Sequence, residues 1–187
     1  MQKRGEGDRP SFVNSANKVY YSISQKYILS PPLYFIVMAI KRIFSAGGIV
    51  LRQAQDKSSD KSPWEVLVTQ HSKHKGWDFP KGHREIYESE DQTALREVEE
   101  ETGVKAEIIE RVGETKYFYY EEGEKVLKTV AFYLMKFVSE GEATTAFEVS
   151  GTKWLPPDEV EDQLTFKDTK ELWQKAKEKI EKLKIEA

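Results

Sequence analysis

No cysteine occurs among the 187 residues. That absence excludes disulfides, thiolate zinc sites and cysteine nucleophiles, and leaves the redox compartment open. Long apolar runs are missing as well. The most apolar N-terminal stretch, Pro31 to Ile40 (PPLYFIVMAI), is about half the length a bilayer-spanning helix needs, and no small-residue cleavage site follows it. The expectation is no membrane anchor and no export signal, with the cytoplasm as the simplest compartment. A basic excess is also lacking: the formal net charge is -3, whereas proteins that bind polyanions broadly carry surplus Lys and Arg. DNA is therefore not an expected partner, and affinity for phosphate must be local. The histidines His71, His74 and His83 form no recognisable zinc set, and the first two read as surface residues.

What is present suits one globular domain. The chain is 39% hydrophobic and 33% charged, and its length suffices to bury a core and cover a moderate sheet with helices. Residues 1–37 scatter Gly, Ser, Asn and Pro with neither a 2.0 nor a 3.6 period, which predicts a poorly ordered extension. Met38 directly precedes the strand-like AIKRIFSAGGIVL and is a candidate alternative start, which places the domain at 38–187.

Within that domain the pattern alternates. Phe44 to Leu51 and Trp64 to Thr69 read as strands joined across the charged loop Arg52 to Pro63. Ser89 to Thr102 reads as a helix stopped by Gly103. Ala106 to Tyr120 and Lys125 to Val138, rich in aromatic and β-branched residues, read as antiparallel partners around the acidic turn EEGE at 121–124. Gly151 to Leu155 is a short strand and Pro157 to Gln163 a short helix. Phe166 to Ile185 is a charged terminal helix with Leu172, Trp173, Ala176, Ile180 and Leu183 on its inner stripe.

Chemistry concentrates in Gly82 to Val104, GHREIYESEDQTALREVEEETGV. Glu97, Glu100 and Glu101 stand at i, i+3 and i+4, so a helix projects their carboxylates from one face. Like charges repel there, and a divalent cation with oxygen ligands, magnesium or manganese, removes that cost. Arg96 points to an adjacent face and can reach back to Glu88, fixing the preceding loop. Gly82 lets that loop turn tightly and its backbone approach metal or phosphate. An arbitrary acidic run is ordinarily a solvated face. Here that reading would have to account separately for Gly82, Glu88, Arg96 and Gly103.

The stretch resembles the signature of the Nudix family, G-x5-E-x7-R-E-U-x-E-E-x-G-U with U aliphatic, and matches it at Gly82, Glu88, Arg96, Glu97, Val98, Glu100, Glu101, Gly103 and Val104. Seven fixed identities arise by chance with a probability on the order of 10⁻⁸ per start position. Upstream, Trp77-Asp78-Phe79-Pro80-Lys81-Gly82-His83 resembles the signature's entrance in the branch holding asymmetrical dinucleoside tetraphosphate hydrolases and diphosphoinositol polyphosphate phosphohydrolases. The resemblance implies an α/β/α sandwich in which a mixed sheet lies between the signature helix and the terminal helix. It also implies a hydrolase of phosphoanhydride bonds that uses magnesium, with manganese as a substitute. Glu100 and Glu101 would be the main metal ligands, Glu97 a further ligand or the base, and Arg96 part of the catalytic set.

Glu148 is the candidate for an added acidic ligand from outside the signature, with Glu142 behind it, and the Gly82 backbone is counted with the metal set. For substrate, Lys81 is the foremost phosphate contact, with His83, Lys75 and Trp77 around it. Tyr117 and Tyr119 are candidates to stack on a base, although core packing or hairpin support is the commoner use of such rings. The substrate expectation is a small nucleotide or organic polyphosphate, first a dinucleoside polyphosphate such as diadenosine tetraphosphate. Nucleoside triphosphates and triphosphorylated RNA ends come next. A nucleotide sensor without catalysis is the rival from another class, and the oligomeric expectation is a monomer or homodimer.

Overall fold

A computed structural model describes residues 40–54, 62–145 and 147–185, with side chains as far as Lys182. The predicted extension 1–37, the candidate start at Met38 and most of the loop between the first two strands lie outside the described residues. The central strand β1 (Lys41–Gln53) runs antiparallel to β2 (Trp64–His71), with Leu51 opposite Val66. The short strands β3 (Trp77–Asp78) and β4 (Lys81–His83) follow, pairing with β2 and β1 respectively.

Next come helix α1 (Glu90–Thr102), the long hairpin β5 (Val104–Glu121) and β6 (Glu124–Glu140), then β7 (Val149–Leu155) against β2. Helices α2 (Pro157–Gln163) and α3 (Lys167–Ile185) complete the chain. Since β6 is antiparallel to β5 and parallel to β1, the sheet is mixed, as the sequence reading expected.

Alternation explains why this sheet has helices on two sides. Along β6, Val130, Phe132 and Leu134 enter one buried cluster, while Ala131 and Met135 enter another. In β2, Val66 and Val68 join the first and Leu67 the second. Successive side chains of a strand point to opposite faces, so strands with apolar residues at both parities must be covered twice. The first cluster includes Leu172, Trp173, Ala176 and Ile180 of α3, and the second Ala94 and Val98 of α1. The α/β/α sandwich follows from this two-sided pattern.

The core reaches toward the loop that carries Lys81. Trp173 is fully buried, its ring centroid 6.0 Å from that of Phe79, which meets Phe132 edge-on at 6.2 Å. Trp173→Ala is expected to destabilise the fold by about 3–5 kcal/mol, as cavity-forming aromatic deletions do. Among the described residues its indole N–H has no hydrogen-bond partner, which favours the lower end. Urea unfolding measures this, and a loss below about 1 kcal/mol would show that α3 contributes little to the core.

Candidate active site

Helix α1 is set by its ends. The Ser89 backbone N–H donates to Gln92 Oε1 at 3.0 Å, satisfying a donor at the start of the helix. At the other end Gly103 has φ 73°, and its N–H donates to the Glu99 carbonyl at 2.7 Å. This left-handed stop is what a glycine permits without a Cβ penalty. Between these ends, Val98 is buried while Glu97, Glu100 and Glu101 line an open cleft of about 470 Å³ on the polar side.

Arg96 organises the cleft's wall. Its Nε donates to Glu88 Oε1 at 2.6 Å and its Nη2 to Glu88 Oε2 at 2.9 Å, a forked contact that ties the signature loop to the helix. Nη2 also donates to the His83 carbonyl at 2.9 Å, and Nη1 serves both Glu97 Oε1 at 2.8 Å and Glu100 Oε2 at 3.0 Å. The reach from Arg96 back to Glu88 is thus present, and the guanidinium additionally holds two of the signature carboxylates. Arg96 positions these groups and itself lines the cleft.

That fork depresses the Glu88 carboxyl to about 2 from its ordinary 4.5, chiefly through the Arg96 hydrogen bond. A carboxylate whose pKa is lower in the folded state stabilises the fold above the unfolded pKa, and that stabilisation disappears as pH falls through the folded one. The thermal midpoint is therefore expected to decline between about pH 4.5 and about pH 2 in proportion to Glu88 protonation. Glu88→Gln should melt lower at neutral pH and decline less across this window. Parallel pH profiles for the two proteins would contradict the assignment.

Gly82 leaves space here. A Cβ at this position would overlap the Glu97 carboxylate, so the absence of a side chain lets Glu97 lie directly against the β4 backbone. Glu101 accepts from the Lys81 backbone N–H at 3.3 Å, bringing helix and loop together from a second point. Burial pushes the Glu101 carboxyl up to about 7, against the pull of Lys81, and burial raises Glu97 as well. Glu148 lines the same cleft and adds to the negative field on both. Glu142 does not line it.

Glu97, Glu100, Glu101 and Glu148 give this cleft an oxygen donor set that suits a hard divalent cation. Among the described residues no three of them converge into a ready-made cage. Glu97 and Glu100 are instead drawn to Arg96.

The basic wall of the cleft contains Lys81, His83, Arg84 and Lys128. The Lys81 ammonium sits 2.9 Å from Asp78 Oδ2. Burial alone would lower its pKa, but the Asp78 carboxylate more than offsets this and holds it above the ordinary value. Lys128 Nζ is 3.2 Å from His83 Nε2, and burial followed by the Lys81 charge lowers its pKa. Asp78 and Lys128 escaped the sequence reading. Lys128 reaches the cleft only because the β5–β6 register sets it opposite Tyr117.

Tyr117 is shared between this cleft and a second cavity of about 680 Å³, together with His74, Gly76, Asp78 and Lys81. His71 and His74, expected as surface residues, stack with centroids 4.1 Å apart and both line the cleft.

Three expected substrate residues are not among those lining either cavity. Trp77 precedes Asp78 in β3, so it takes the opposite face, where Lys153 Nζ lies 4.6 Å from its ring centroid. Lys75 is an exposed turn residue with φ 57°. Tyr119 shares Tyr117's face but lies further along β5, with ring centroids 6.3 Å apart.

Residues 42–177 match the family described as NUDIX domain. The chain belongs to the Nudix family. The asymmetrical bis(5'-nucleosyl)-tetraphosphatase of Sus scrofa is 36% identical over 135 residues, covering 70% of this chain and 90% of that protein. A Mycobacterium tuberculosis (strain CDC 1551 / Oshkosh) protein bearing the mutator-protein name MutT4 is 38% identical over 107 residues, 57% of this chain. This Nudix chain spans only 43% of that relative's length, and 39% of the 8-oxo-(d)GTP phosphatase of Mycolicibacterium smegmatis. Among solved structures, a C. elegans Ap4A hydrolase binary complex superposes with a TM-score of 0.58 at 24% identity, covering 74% of this chain and 97% of that one. That likeness is one of fold, and it agrees with the sandwich. Among the described residues, no helix is long and apolar enough to cross a membrane.

Proposed function

We propose that this Nudix domain hydrolyses a phosphoanhydride bond of a nucleotide-linked polyphosphate, with dinucleoside polyphosphates as the preferred class. The observation that carries the reading is one cleft lined both by the carboxylates Glu97, Glu100, Glu101 and Glu148 and by the basic side chains Lys81, His83 and Lys128. A polyphosphate chain needs both: cations along its oxygens, and a carboxylate site for the metal that shields the reacting phosphate. Glu100, Glu101 and Glu148 are the ligands for magnesium or manganese, beside the Gly82 backbone. When bound, the metal would offset phosphate charge and lower the pKa of a water molecule. Glu97, held above its ordinary pKa by burial, suits accepting a proton from attacking water as well as ligation. Water oxygen bonds to phosphorus, the anhydride P–O bond breaks, and the leaving phosphate takes a proton.

The neighbouring cavity, with Tyr117 and Phe166 in its walls, suits a nucleoside attached to that chain. The relationship to the Sus scrofa tetraphosphatase supports the dinucleoside class. A phosphate-release assay with magnesium over diadenosine polyphosphates, nucleoside triphosphates, nucleotide sugars and diphosphoinositols tests the reading. Preference for diadenosine tetraphosphate supports it. Preference for a nucleoside triphosphate transfers the same chemistry to pyrophosphate release, and silence across the panel removes the dinucleoside reading in favour of triphosphorylated RNA ends or a nucleotide sensor.

A further inference from the structure

The loop between β4 and α1 carries an oddity that the proposed chemistry does not use. Tyr87 has φ 76° and is 100% exposed, and its neighbour Ile86 is 82% exposed. A left-handed backbone is disfavoured for an aromatic residue, and such strain persists only where the surroundings impose it. They do so here. The Arg84 N–H donates to the Phe44 carbonyl at 3.0 Å, the Glu85 N–H to Glu88 Oε2 at 3.1 Å, and Glu88 is locked by Arg96. The loop is pinned at both ends, yet among the described residues nothing covers the ring it holds out. Packing therefore gives no reason for tyrosine at a position where glycine or asparagine would relieve the backbone.

Position supplies one. The second cavity and the cleft share Tyr117 and Lys81 at one end, while Arg84 and Glu85 of this same loop line the cleft. A substrate with one nucleoside in the second cavity and its phosphates along the cleft passes the carboxylates and leaves near Arg84. There the Arg84 guanidinium already lies over the Phe44 ring, 5.8 Å from its centroid. Phe44 is itself 46% exposed. Flat groups offered to solvent on a rigid loop are what a nucleobase stacks against.

We propose that Tyr87, with Arg84 and Phe44, forms an exit shelf that binds the second nucleobase of a dinucleoside polyphosphate and so determines preference for that class. The proposal rests on the dinucleoside reading above.

The test compares kcat/KM for diadenosine tetraphosphate with that for adenosine 5'-tetraphosphate, which has the same phosphates and lacks the second nucleoside, for the full chain with magnesium. Tyr87→Asn removes the ring with a residue that tolerates the left-handed backbone, and Tyr87→Phe keeps the ring. The ratio of the two constants should fall about five-fold or more in Tyr87→Asn, the loss of one stacked base, and stay near wild type in Tyr87→Phe. Tyr87→Asn should also melt no lower than wild type, which separates lost binding from damaged folding. An unchanged ratio in Tyr87→Asn, in a wild type that prefers the dinucleotide, overturns the shelf and leaves the proposed function standing. A wild type that does not prefer the dinucleotide overturns both.

Discussion

Glu100→Gln is expected to lower turnover by roughly two orders of magnitude or more, with the folded structure intact, because it removes a proposed metal ligand at almost no change in volume. Glu100 is well suited to show this. Its side chain is one-third exposed, so the neutral amide faces little desolvation penalty, and among the described residues its carboxylate accepts one hydrogen bond, from Arg96. Stability should therefore change little while the magnesium dependence of turnover weakens. Steady-state kinetics over a magnesium titration, paired with a melting curve, measures both. Full activity in the variant would remove Glu100 from the ligand set, and a large drop in melting temperature would reassign it to the framework around Arg96.

Arg96→Met should be the more damaging change, since it affects fold and chemistry together. One guanidinium holds Glu88 by two bonds, Glu97 and Glu100 by one each, and the His83 carbonyl. Removing it leaves three carboxylates without their cation and frees the loop that carries Gly82 and His83. Loss of one partner from a partly buried ion cluster costs about 2–4 kcal/mol, below the figure for a fully buried pair because the group keeps some solvent. Turnover should fall well over tenfold, as the carboxylates lose their placement. Lysine cannot replace the planar fork. Arg96→Lys should thus recover only a small part of the stability measured in urea. Near-complete recovery would mean that charge alone, without the forked geometry, holds the loop.

Why some of this was legible in the sequence and some was not has physical reasons. Periodicity revealed the long elements because burial forces it: the α3 stripe of Leu172, Trp173, Ala176 and Ile180 is the face that closes the first core cluster. The β5–β6 hairpin was legible through Glu122 and Gly123, which take φ 52° and 82° at the turn. The signature carboxylates could be placed in one cleft because helix geometry alone decides which residues share a face. Asp78 and Lys128 could not, since their positions depend on strand pairings between distant segments. Strands as short as β3 and β4 carry no measurable period, so the opposite facing of Trp77 and Asp78 was invisible, and Trp77 was placed with the substrate. Lys75 lines neither cavity for a related reason, because a cluster of positive charge in sequence does not fix which side of a turn faces the cleft. The strain at Tyr87 had no signal in the pattern at all; only the backbone angle exposes it.

Hydrolysis of diadenosine tetraphosphate in ¹⁸O-labelled water, with products separated and weighed by mass spectrometry, tests the central claim most directly. With magnesium, the carboxylate cleft is predicted to yield ATP and AMP with the label in only one of the two; a chelator should abolish the products and Glu100→Gln should slow their formation about a hundredfold or more. Equal halves of ADP, or cleavage that continues unchanged in the chelator, would contradict metal-dependent asymmetric attack at this site.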